Sequence, residues 1–283
     1  MTQQSPRPWN TLGSVDPRQL VEARLQLHWA VQLVAAFSNA GLETLPDDSQ
    51  SNLGWQDGPG VLQGRVRPDG FAAGLKPVDL ELVLIDAAGG IVDGMALAGR
   101  TLEEGRTWLD SAAARGDGSS PITLRDYEMP DHPVAAGNPF THQPTAAFAA
   151  VAQWFAAGNS ALSALTASQP GWAEVRCWPH HFDLGTIASL EASNDPSSGR
   201  SIGAGMSTGD ASYAEPYFYV NPYGLRSQPA GPPDLPPPAL WHTEGWFGAV
   251  LMGSALLAHK DPSSTVAGFF DGAVAAARQL LGA

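Results

Sequence analysis

The sequence predicts an α+β fold of two similar halves, each running helix, antiparallel strands, helix. Three observations carry this expectation. Segments with apolar residues at helical spacing recur near the start, the middle and the end of the 283-residue chain. Between them lie short apolar runs broken by glycine and proline, the texture of strands and turns. Finally, FAAGLKPVDLELVLID (Phe71 to Asp86) aligns, with a gap, on IGAGMSTGDASYAEPYFYV (Ile202 to Val220) through a shared A-G-[LM] step. Internal duplication and a coincidence of two layouts both account for that match. The expected divisions are a flexible N-terminus over 1–16, a first half over 17–116, a connector over 117–144 and a second half over 145–283. One compact domain is the alternative.

Each element has its own warrant. Asp16 can cap a helix with Pro17 at its first position, where a missing N–H costs nothing, and Leu20, Leu27, Val31, Val34 and Phe37 form its apolar side. Leu80 to Ile85 reads as a strand, and Ala87 to Gly90 as the turn into another, Ile91 to Ala98. Thr101 and Glu104 make a capping box ahead of a helix that ends near Gly116. The connector holds five prolines between residues 116 and 145 and is long enough to need an ordered turn or a short strand. From Thr145 a further, alanine-rich helix carries Phe148, Val151, Phe155, Leu162 and Leu165. Glu174 to Leu190 is strand-like, a loop covers Asn194 to Arg200, and short strands follow near Ile202 to Met206 and Glu215 to Val220. Six prolines make Ser227 to Ala239 a loop of polyproline character. Trp241 to Leu257 reads as one or two strands. Asp261 caps the closing helix.

Composition narrows the classes. Apolar residues make up 43% of the chain, enough for a core. Acids outnumber bases 28 to 15, a net charge of −13, and only two lysines occur, Lys76 and Lys260. Such a field repels phosphate backbones, so no nucleic acid is expected as a partner. No stretch approaches the roughly 18 consecutive apolar residues of a membrane span. The first residues lack a signal-peptide core, so no membrane and a cytoplasmic location are expected. One cysteine, Cys177, allows neither an internal disulfide nor a cysteine-built zinc site.

Chemistry concentrates in two places. In Cys177-Trp178-Pro179-His180-His181-Phe182-Asp183, an extended chain would put His181 and Asp183 on one face and Trp178, His180 and Phe182 on the other. His242 and Glu244 repeat the same i, i+2 spacing. Together His181, Asp183, His242 and Glu244 could supply nitrogen and oxygen ligands to a divalent metal. Alternatively His181 and Asp183 could exchange a proton without one, with the acid fixing the tautomer. The plain reading is that these histidines donate to backbone carbonyls and the acids cap turns. The second place is Gly203 to Gly224, which holds four of the five tyrosines. Tyr217 and Tyr219 share a strand face and, with Asp210, Glu215, Trp178 and Trp241, could wall a small-molecule site. Strand preference alone also explains tyrosines there. His28 reads as a satisfied helix-face histidine, and Arg115 to Asp117 as a chance RGD.

The Cys-Trp-Pro-His-His-Phe-Asp run, with the later Gly-Asp-x-x-Tyr-x-Glu-Pro-Tyr-x-Tyr-Val, resembles a motif pair of uncharacterised bacterial proteins, a domain of unknown function. The resemblance covers residues 174–224 and implies no activity. The first half has only Leu53-Gly54-Trp55-Gln56 at the corresponding position. The expectation is therefore a small-molecule or metal site in the second half. The alternative is a non-catalytic binding protein, or a structural or assembly protein whose exposed aromatics cover a homodimer interface.

Overall fold

The first helical run opens with a 3-10 turn, Pro17–Gln19, and continues as α1 (Val21–Gly41) in the computed structural model, which describes residues 8–114, 121–191 and 199–283. Expectations for residues 1–7, for Arg115 to Asp117 and for 194–198 lie outside the described residues. Asp16 accepts from the N–H of Arg18 rather than capping α1 itself. Leu20, Leu27, Val31, Val34 and Phe37 are all fully buried, as their spacing predicts. Helices and two antiparallel sheets make the fold α+β. No helix among the described residues is long and apolar enough to cross a membrane. The chain divides into two compact units: Gln19–Ala152 with Arg176–Phe182, and Met1–Arg18 with Gln153–Val175 and Asp183–Ala283. The expected halves met at the connector; the units instead divide α3 (Thr145–Ser168) between residues 152 and 153.

The first unit holds α1, then β1 (Gly54–Gln56), β2 (Val61–Gln63), β3 (Ala72–Lys76), β4 (Glu81–Ile85) and β5 (Ile91–Ala96), neighbours in chain order throughout. The predicted Ala87 to Gly90 turn connects β4 to β5, with Asp86 accepting from the N–H groups of Ala88 and Gly90. Val61, Ala72, Val83 and Ile85 cluster on one face. The capping box is present at α2 (Leu102–Ala113): Thr101 Oγ1 accepts from Glu104 N, and Glu104 accepts from Thr101 N. Gly105 lets α2 approach Leu33 and Leu82, since a Cβ there would lie 2.7 Å from Leu33. The described part of the connector contributes a 3-10 turn, Pro133–Ala136, and a bridge from Phe140 to Ala98. Last comes β6 (Arg176–Trp178), where Cys177 pairs with Leu53.

In the second unit, β7 (Asp183–Ser189), β8 (Ser201–Ser207) and β9 (Tyr217–Tyr223) form a meander. The stretch read as one or two strands resolves into β10 (Leu240–His242), β11 (Gly248–Met252) and a short helix, α4 (Gly253–Leu257). β11 pairs with β9 and β10 lies outside it, giving the order β10-β11-β9-β8-β7. Four strands, β7-β8-β9-β11, thus follow the same path as β2-β3-β4-β5, and β10 has no counterpart. The closing helix α5 (Pro262–Leu281) is capped by Asp261, which accepts from Ser264 N. Phe218 and Val220 point to the α5 side of the sheet, where Phe218 meets Phe270 edge-on at 5.9 Å. Within the segment expected to be flexible, Pro8–Thr11 forms a 3-10 turn and Trp9 stacks on Phe218.

Candidate functional site

Period-two alternation in β9 sends Tyr217, Tyr219 and Tyr223 to the face opposite Phe218 and Val220. Across the ladder their partners are small: Ser207 faces Tyr217, Gly205 faces Tyr219 and Ser201 faces Tyr223. That floor lets the Tyr219 ring lie over β8, and a Cβ on Gly205 would stand 2.2 Å from its Cζ. The Tyr219 hydroxyl thereby reaches β7 and donates to Asp183 Oδ2 at 2.5 Å. Tyr217 donates to Asp210 Oδ2, while Asp210 Oδ1 accepts the N–H groups of Ser212 and Tyr213. The turn after β8 is thus clamped by one carboxylate.

From Tyr217 the aromatic row continues outward. Tyr213 packs edge-on against it at 5.2 Å, and Trp246 stacks over it at 6.4 Å. His242 and Trp246 are four residues apart across a turn in which Gly245 takes φ +82°, and their rings stack at 4.1 Å, half-exposed. His242 Nε2 donates to the Glu244 carbonyl, so in the neutral ring Nδ1 accepts from the Tyr213 hydroxyl at 2.8 Å. Burial, followed by the Asp183 charge, pushes the Tyr219 phenol well up; burial and Asp210 do the same for Tyr217 and Tyr213. All three remain protonated donors at neutral pH, and none is available as a phenolate base.

The Trp-Pro-His-His-Phe-Asp run folds differently from its expected strand. The Trp178 carbonyl accepts from the N–H groups of His181 and Phe182, reversing the chain, and Phe182 takes φ +53°. Pro179, having no N–H, offers its carbonyl instead, to Nε2 of both His28 (3.0 Å) and Gln32 (2.6 Å) on α1. His28 also stacks on Phe182. Burial lowers the His28 pKa to about 4 despite the Pro179 hydrogen bond. Beside the turn, Tyr127 tilts over His180 at 5.4 Å and donates to Asp48. Burial alone would raise Asp48, but hydrogen bonds from Tyr127 and Gln50 and the charge of Arg125 hold it below its ordinary value. Burial, then the charge of neighbouring His181, lowers His180 to about 4.

Several site expectations need correction. His181 and Asp183 do not share a strand face, because the left-handed Phe182 breaks the alternation. His242 and Glu244 are not a chelating pair: the backbone carbonyl of Glu244 faces the ring, and both ring nitrogens are occupied. Asp183 on β7 and His242 on β10 have three strands between them, four spacings of about 4.8 Å or roughly 19 Å. Among the described residues no group of three or more His, Cys, Asp or Glu could hold a metal ion. Trp241 lies on the opposite face of β10 from His242, stacked on Phe247 and donating to the Pro233 carbonyl. Trp178 packs against His180 in the first unit. Glu215 caps α4, accepting from Ser254 N and Oγ. Of the expected residues, Tyr217, Tyr219, Asp183, Asp210 and His242 do belong to one network. Trp246, absent from the expectation, is its outer wall; its signal was the glycine turn after His242. No family model matches the chain, and neither a curated protein nor a solved structure is similar to it.

Proposed function

We propose that the protein is a non-catalytic binding protein that holds a neutral, polyhydroxylated ring, such as a saccharide, against the Trp246–His242 platform of the second unit. The observation that carries this reading is the half-exposed ring stack at 4.1 Å, bordered by the exposed carboxylate of Glu244. A flat aromatic face suits the C–H face of a sugar, and a carboxylate accepts its hydroxyl protons. The tyrosines behind the platform donate to Asp183, Asp210 and His242, which supports a rigid wall rather than a reacting set. The acidic field disfavours anionic ligands.

Duplication is part of the same reading. Ala73-Gly74-Leu75 lies on β3 and Ala204-Gly205-Met206 on β8, equivalent strands of the two four-strand paths. On that alignment β10 and the Trp246 turn are an insertion found only in the second half, and they bring the platform with them. The resemblance to bacterial domains of unknown function rests instead on the Cys177–Asp183 run and the Gly209–Val220 run, and it adds no activity.

Thermal-shift and tryptophan-emission titrations with neutral mono- and disaccharides test the proposal. A saturable stabilisation that Trp246→Ala removes is expected, with the variant's circular dichroism unchanged. No response to any saccharide, or a response that survives Trp246→Ala, overturns it.

A further inference from the structure

We infer that the groove between α1 and the connector docks a basic peptide segment, an arginine or lysine side chain lying against Trp29 and Tyr127 and pairing with Asp131. The groove encloses about 600 Å³ and is lined by Trp29, Tyr127, Met129, Pro130, Asp131 and His132, among others. That volume exceeds one guanidinium side chain, and its wall follows the chain from Tyr127 to Ala136, so it fits a segment of polypeptide rather than an isolated ion. The site is independent of the platform in the second unit.

The polar ends of both aromatic walls are already in use. Trp29 Nε1 donates to the Pro130 carbonyl at 3.2 Å, and the Tyr127 hydroxyl donates to Asp48 at 2.7 Å. What these residues offer a partner is ring surface, and ring faces attract cations. Charge complementarity points the same way. Asp126, Glu128 and Asp131 are exposed along one segment, whereas Arg125 is tied up in an ion pair with Asp48. His132 is held by Glu22. The net charge of −13 steers basic partners toward the surface and turns acidic ones away.

The test uses the full chain and a fluorescent peptide of alternating arginine and glycine, followed by anisotropy at low and moderate salt. Saturable binding that weakens with salt is expected, and none for the glutamate–glycine counterpart. Asp131→Lys lowers the affinity about tenfold or more, whereas Asp234→Lys, the same charge change at an exposed site in the other unit, lowers it less than about twofold. Trp29→Ala abolishes binding; should that variant fail to fold, Asp131→Lys at its exposed position decides alone. Equal losses for the two lysine variants would mean diffuse attraction and overturn the proposal. So would no binding, or methylguanidinium binding as tightly as the peptide.

Discussion

Replacing Gly205 with alanine probes the feature on which the tyrosine network depends. The new Cβ would lie 2.2 Å from Tyr219 Cζ, 2.3 Å from its hydroxyl oxygen and 2.5 Å from the Leu184 carbonyl. Rotating the ring away relieves the first two contacts but severs the bond to Asp183; the third is backbone and needs β7 and β8 to part locally. The lost hydrogen bond to a carboxylate costs about 1.5–3 kcal/mol. Re-exposing the ring costs about 1.5–3 kcal/mol more. Alanine returns roughly 0.5–1 kcal/mol of strand preference. The net destabilisation is therefore roughly 2–5 kcal/mol. Urea unfolding followed by near-ultraviolet circular dichroism measures it, and hydrogen exchange at β8 and β9 amides places it. In a cycle with Tyr219→Ala, the double variant should be more stable than the two single losses add up to, by about 1 kcal/mol or more. Gly205→Ala within about 0.5 kcal/mol of wild type, or strict additivity in the cycle, would refute the reasoning.

His28 makes stability depend on pH. Its folded pKa of about 4 lies below the ordinary 6.5, so the unfolded chain takes up a proton first. The contribution is fully present above pH 6.5 and is lost as pH falls toward 4, by up to about 3 kcal/mol. Urea titrations at pH 7 and pH 5 should show this fall, and a smaller one in His28→Gln, which keeps a donor for Pro179; an unchanged pH slope in the variant refutes the assignment. Asp183→Asn should lower stability by about 1.5–3 kcal/mol through the Tyr219 hydrogen bond. Melts with and without chelator should show the same loss, and a chelator effect confined to wild type would restore the metal reading.

Local signals in the sequence identified local structure well. Asp261 and the Thr101–Glu104 pair announce their helices because a cap is written in three or four adjacent residues. The common face of Tyr217 and Tyr219 follows from strand period alone. What stayed hidden depends on backbone states or on pairing. Phe182 is not a glycine, so nothing in the text marks its positive φ, and the strand reading of His181 and Asp183 failed there. The place of β10 at the sheet's outer edge is a long-range choice, and it separates His242 from Asp183 despite their like spacing. Gly205 gains its meaning only from the register that sets it opposite Tyr219.

The seven residues from Arg176 to Phe182 return to a unit whose other members end at Ala152. During synthesis that unit waits for them: until they leave the ribosome, Leu53 has no strand to pair with, and His28 and Gln32 on α1 lack the Pro179 carbonyl. The first 152 residues are therefore an unfinished product in the nascent chain. The same dependence governs dissection of the protein. A fragment ending at Ala152 lacks the carbonyl that His28 and Gln32 share and the Phe182 ring that covers His28, whereas one carried through Phe182 supplies both.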